Sequence, residues 1–264
     1  MATIVAGVDS KQEKLVVHQA LLCDRSKYFA KALTGSFKES KTGIVKLKDV
    51  SRVLFKIIVS WLYSGKIFYA DDGSDIDHDF ARFVYDEEAD RESIEAEDTA
   101  TWPKQVLLEL YVLADRLDMK ALRVDTIDAL ITSMKFSKTT TLERESYQFI
   151  DSNTTAESSL RKFAIDLLAY RTRHSTLHLE FWQDIPQEMA LTALLLNCQR
   201  APNTLCDSCY QRGLSRNKVP LADDRPCKYR EERSFKVDAC NYHEHADEEE
   251  KKACQASCAK TTNN

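Results

Sequence analysis

Apolar residues recur along this chain at two periods, first two and then close to three and a half. Lys14 to His18 (KLVVH) and Gly43 to Leu47 (GIVKL) are short β-rich runs bounded by polar or turn residues, and Thr3 to Val8 has the same character. All three predict strands. From Ser51 onward, Val53, Leu54, Ile57, Ile58, Trp61 and Leu62 recur at helical spacing, with Ser51 placed to cap the first turn and Gly65 placed to end the last.

Further on, Thr101 is set to cap and Pro103 to enter the first turn of a helix whose stripe is Leu107, Leu110, Tyr111, Ala114 and Leu117. The next helix is expected to turn Ala121, Val124, Ile127, Leu130, Ile131 and Met134 inward. Leu160, Phe163, Ala164, Leu167 and Leu168 repeat the pattern, and Met189 to Leu196 is a shorter apolar segment. Stripes of this kind read as core rather than as a cofactor box.

One stretch breaks the periodicity. Between Asp71 and Asp98 stand thirteen acidic residues against two basic ones, Arg82 and Arg91. Like-charge repulsion at that density predicts a solvated insertion.

Composition narrows the class. Gly and Pro number 6 and 5 in 264 residues, about a third of ordinary usage, which leaves few tight turns for a sandwich or barrel. Helix should dominate. No G-x-G-x-x-G or G-x-x-x-x-G-K-[ST] occurs, so a phosphate cradle is not expected, and neither G-x-S-x-G nor H-E-x-x-H is present. No catalytic residues are assigned, and no enzymatic activity is expected. His18 follows a strand but has no nucleophile, base and orienting group around it, so it reads as a packed, hydrogen-bonded core histidine. No apolar run reaches the ~18 to 20 residues of a membrane span, and MATIVAGVDSKQ lacks the pattern of a secretory leader. The expected location is cytoplasmic or nuclear, with reduced cysteines.

His18, Leu22, Ser26 and Phe29, followed by Ala32-Leu33 and by Trp61-Leu62-Tyr63-Ser64-Gly65, form a pattern that resembles the BTB/POZ domain in the form found in many fungal proteins. Leu107 to Leu117 resembles its fourth helix, and Met119 to Leu122 the opening of its fifth. The resemblance covers residues 1–134. It implies an α+β, mostly helical fold, a small three-stranded sheet capped by helices, here followed by a helical, Cys-rich extension. The expected organisation is 1–134 with the acidic insertion 71–98, a helical extension 135–198, and a Cys/His-rich tail 199–264. Family members that exchange an N-terminal strand carry a helix and strand ahead of the first sheet strand, whereas this chain begins almost on it, so for a homodimer through this domain strand exchange is in question and pairing through helices stays open.

The resemblance also implies a partner-binding motif. In family members that recruit a cullin scaffold, a hydrophobic residue, any residue, then an acid occupies the junction after the helical hairpin, which here is Phe37-Lys38-Glu39. Phe37 would fill an apolar pocket and Glu39 make a charged contact at its rim. The bland alternative is that Phe37 closes the core.

Seven of the eight cysteines fall between Cys198 and Cys258. They include Cys206-x-x-Cys209, Cys240-x-Tyr-His243-x-His245 and Cys254-x-x-x-Cys258. Thiolates and imidazoles at such spacings suit a tetrahedral zinc site, because each close pair supplies two ligands from one turn. Cys206, Cys209, Cys240 and His243 are the most economical set. Packing cysteines and disulfides are the alternatives. Nine basic and five acidic residues between Gln199 and Lys236 give a local charge of +4, too diluted to favour nucleic-acid binding. Two functions follow as expectations. One is an interaction module that recruits substrates to a cullin-type ubiquitin ligase; the alternative is a nuclear regulator with a zinc-binding, nucleic-acid-binding tail.

Overall fold

In the computed structural model, the described residues are 1–7, 12–70, 80, 83, 94–136, 142–171, 179–200 and 239–261. The chain divides into two compact units, Met1–Lys138 and Thr139–Asn264.

The first unit is built on three strands, β1 (Ala2–Ala6), β2 (Glu13–Val17) and β3 (Ile44–Leu47), in the order β2-β1-β3. β1 runs antiparallel to β2, from Ala2 opposite Val17 to Ala6 opposite Glu13, and parallel to β3, from Thr3 beside Ile44 to Ala6 beside Leu47. Its central place explains its pattern. β1 is nearly continuously apolar and buried, whereas β3 alternates exposed Ile44 and Lys46 with buried Val45 and Leu47. That alternation is what an edge strand with one solvated face requires.

The parallel pairing of β1 with β3 needs a crossover, and α1 (Gln19–Arg25), α2 (Lys27–Thr34) and α3 (Lys38–Thr42) supply part of it. The spacing of Leu22, Ser26 and Phe29 has a physical basis. Leu22 and Phe29 are fully buried. Ser26 caps α2 by accepting the Phe29 N–H at 3.1 Å, and it donates to the Leu117 carbonyl at 2.6 Å. One hydroxyl thereby fixes the hairpin to a distant helix end.

Among the described residues, α4 (Arg52–Ser64), α5 (Lys104–Arg116) and α6 (Lys120–Phe136) follow in this unit. The predicted stripes of α4 and α5 are buried, and Trp61 Nε1 donates to Asp125 Oδ2 at 2.6 Å, linking α4 to α6. Four expectations need correction. Ser51 precedes α4 without a side-chain cap bond. Pro103, not Thr101, is the residue flanking α5, because the Thr101 hydroxyl is occupied with the Glu95 N–H at 2.9 Å and the Asp98 carbonyl at 2.8 Å. In α6, Ile127, Leu130, Ile131 and Met134 are buried as expected, but Ala121 is exposed and Val124 half-buried; Leu122 and Thr126 face inward instead. The buried Thr126 hydroxyl bonds the Leu122 carbonyl at 2.7 Å, so a polar residue sits on the inner face and the apolar count misplaced the first two turns.

The fourth correction concerns the acidic segment. Phe80 and Phe83 are fully buried and belong to an edge-to-face aromatic cluster in which Phe80 meets Tyr69 at 5.4 Å, Phe83 at 6.1 Å and Trp102 at 5.1 Å. The segment therefore contributes to the core at these two positions. A charge count averaged over 28 positions conceals two phenylalanines three residues apart.

The second unit holds α7 (Arg144–Asn153), α8 (Ser159–Arg171), α9 (Leu179–Gln183), α10 (Gln187–Arg200), a 3-10 turn (Ala239–Tyr242) and α11 (Glu248–Thr261). Leu160, Phe163, Ala164, Leu167 and Leu168 of α8 are fully buried, as their spacing predicts. The mostly buried Arg161 pairs with Asp151, reaches Glu188 at 3.3 Å and donates to the Asp151 and Thr154 carbonyls at 3.2 Å. It thus links α7 to α10 and satisfies carbonyls at the end of α7. On α10 only part of the apolar segment is core. Met189 and Ala193 are buried, while Leu191, Leu194 and Leu195 are more than half exposed.

Candidate functional site

The partner-binding motif opens α3. Phe37 has extended backbone (φ −77°, ψ 162°) just ahead of the helix, and Glu39 lies in its first turn. Two glycines hold the motif out. Gly35 ends α2 with its N–H on the Lys31 carbonyl at 3.0 Å; a Cβ there would lie 2.4 Å from that carbonyl oxygen and 3.3 Å from the Phe37 ring. Gly43 ends α3 in the left-handed region (φ +64°), giving its N–H to the Glu39 carbonyl at 2.8 Å. Between these fixed ends Phe37 is 57% exposed, and Glu39 is half-buried. Phe37 does not close the core of this chain.

His18 departs from its sequence reading. It is exposed, at the start of α1, with Nδ1 2.7 Å from the Tyr63 hydroxyl, which also accepts the His18 N–H at 3.1 Å. The hydrogen bond expected of it is present, but Tyr63 is itself half exposed, so the pair sits at the surface. Burial pushes the Cys23 thiol upward, away from the reactive thiolate.

A second cluster lies in the C-terminal unit. The 3-10 turn is anchored to α8: Tyr242 is buried edge-to-face on Phe163 at 5.2 Å, its hydroxyl donates to Asp166 Oδ2 at 3.0 Å, and Lys162 Nζ donates to the Asn241 carbonyl at 3.1 Å. This anchoring presents Cys240, His243 and His245 to Cys254 and Cys258 of α11. Cys240 Sγ lies 3.0 Å from His245 Nε2, His243 Nδ1 lies 3.1 Å from Cys254 Sγ, and the Cys254 and Cys258 sulfurs are 3.9 Å apart. The ligand atoms of Cys240, His245 and Cys254 fall within 4.8 Å of one another, as do those of His243, Cys254 and Cys258.

Of the economical set, the structure brings Cys240 and His243 into this cluster, while Cys206 and Cys209 lie outside the described residues. The described neighbours of Cys240 and His243 are Cys254, Cys258 and His245. The signal for the cysteine pair is a four-residue spacing on a helix with no apolar stripe. The basic residues from 201 to 238 also lie outside the described residues.

Compared with known families, residues 2–82 match the BTB/POZ domain. The first unit contains a BTB/POZ domain. This is the fold that the spacing of His18, Leu22, Ser26 and Phe29 resembles, and the three-stranded sheet with its capping helices agrees with it. BTB/POZ domains are protein–protein interaction domains, so the chain carries an interaction module. The chain matches no curated protein. Among the described residues, no helix is long and apolar enough to cross a membrane.

Proposed function

We propose that this chain is an intracellular adaptor whose BTB/POZ domain docks a cullin-type scaffold through Phe37 and Glu39, leaving the second unit to recruit substrates for ubiquitination. The observation that carries this reading is the exposure of Phe37, an aromatic side chain 57% open to solvent just ahead of a short helix. An aromatic anchor of this kind is costly to leave in water and effective once buried in a partner's pocket. Glu39, one helical step away, adds a charge that selects the register of the contact. Self-association through the helices of the domain is compatible with this surface, because the motif lies at the start of α3 and leaves α5 and α6 uninvolved.

The test is binding of the full chain to a purified cullin N-terminal region. Wild type is expected to bind at micromolar concentration or tighter, and Phe37→Ala to lose about tenfold or more, equivalent to at least ~1.4 kcal/mol. Glu39→Lys should lose binding while keeping the wild-type unfolding midpoint. Absence of binding by the wild-type chain at micromolar concentration sinks the cullin reading and leaves the interaction module in place.

A further inference from the structure

Helix α11 presents a problem of stability that its sequence does not solve. Of its side chains from Glu248 to Cys258, all are exposed except Cys254 and Cys258, which are half-buried. An isolated helix of 14 residues is marginal in water, and this one brings no leucine, isoleucine or aromatic residue to its contact. Its start is well made: the Asp247 carboxylate accepts the Glu250 N–H at 2.8 Å, and Glu248, Glu249 and Glu250 favour the positive end of the helix. A good cap begins a helix but does not dock it. Among the described side chains of this helix, the two that are less than exposed are a pair of thiols.

We infer that α11 is held by one structural zinc ion, bound by Cys240, His243, Cys254 and Cys258. Zn–S and Zn–N bonds of ~2.3 and ~2.0 Å at tetrahedral angles place neighbouring ligand atoms roughly 3.3 to 3.8 Å apart. The Cys254 and Cys258 sulfurs, at 3.9 Å, already stand at that separation, and His243 Nδ1 completes a face with them. Cys240, 3% exposed, forms a second triad within 4.8 Å with His245 and Cys254, and an approach of its sulfur toward His243 and Cys258 would supply the fourth vertex from the anchored turn. Three sulfurs and one imidazole in a closed shell are the donor set of a structural zinc site rather than of a catalytic one.

His245 is assigned a supporting role. Its Nε2 is 3.0 Å from Cys240 Sγ, so a protonated Nε2 donates to the coordinated sulfur and orients it, as outer-shell partners commonly do. The ion would join α11 to the 3-10 turn and, through Tyr242 and Lys162, to α8. Binding free energy then supplies the folding free energy that the helix surface lacks.

The full chain, purified under reducing conditions without chelator or added metal, is expected to contain about one zinc per chain. Its cobalt-substituted form should show a tetrahedral ligand-field spectrum with charge-transfer intensity for three thiolates. Cys254→Ser, Cys258→Ser, Cys240→Ser and His243→Ala should each lose stoichiometric zinc. His245→Ala should keep it but yield it to a competing chelator with an affinity lowered roughly 10- to 100-fold. The double variant Cys206→Ser/Cys209→Ser should keep its zinc. Wild-type protein that is folded and contains no zinc overturns the inference, and the cobalt spectrum of the wild type decides it even if a ligand variant fails to fold. Loss of zinc from the Cys206/Cys209 variant, or its retention by His243→Ala with loss from His245→Ala, overturns the assigned ligands.

Discussion

Helices α4 and α11 are nearly equal in length, 13 and 14 residues, yet α4 buries eight of its side chains while α11 has only two described side chains that are less than exposed. α4 docks by the hydrophobic effect, at roughly 1.5–3 kcal/mol for each large apolar side chain fully removed from water. Among its described side chains α11 has no such source, and in the zinc site proposed above it would be held through its two thiols. The comparison sets a wide apolar face, which tolerates small changes anywhere along it, against the few ligands of the proposed zinc site, each of which would be indispensable.

The contrast breaks most visibly at Phe55. This side chain is fully buried on α4 and meets Phe29 edge-to-face at 6.3 Å. Phe55→Ala should cost about 3–5 kcal/mol, read from denaturant unfolding of the first unit. Gln255→Ala on the exposed side of α11 should stay within about 0.5 kcal/mol of wild type. A loss at Gln255 comparable to that at Phe55 would mean that α11 docks through its outer face.

A sharper version of the comparison lies inside the first unit, where the acidic segment joins charge to two buried aromatics. Phe80→Ala should destabilise this unit by about 3 kcal/mol, because Tyr69, Phe83 and Trp102 lose their common neighbour. An unchanged thermal midpoint would restore the reading of the whole segment as solvated charge.

These cases also show what was legible in the sequence. The strands, α4, α5 and α8 could be read directly because their apolar periodicity is the cause of their burial. The first turns of α6 could not, since a buried Thr126 bonded to its own helix is apolar in effect though polar in name. Phe37 and Glu39 were visible as a motif, but exposure is a property of the fold, and it depends on Gly35 and Gly43 as much as on the motif. The Cys/His cluster was legible as a set of residue types. Which of them meet depends on Tyr242 packing against Phe163, a contact that ligand spacing does not encode.

The smallest expected effect concerns an exposed pair in the first unit. Arg116 Nη1 and Nη2 donate to the two carboxylate oxygens of Asp49 at 2.5 and 2.9 Å, and the hydrogen bonds from this guanidinium hold the Asp49 carboxyl below its ordinary value of 3.8. A carboxyl with a lower pKa folded than unfolded stabilises the protein above its unfolded pKa, and that contribution is lost as pH falls through the folded value. Both side chains are about half exposed or more, so solvent screening keeps the contribution under about 1 kcal/mol. The wild-type advantage over Asp49→Asn should therefore be small at pH 7 and shrink as the pH drops below about 4. It should also shrink in high salt, where exposed pairs are screened. A gap that stays constant through both titrations would show that Asp49 acts through packing or backbone geometry instead of charge.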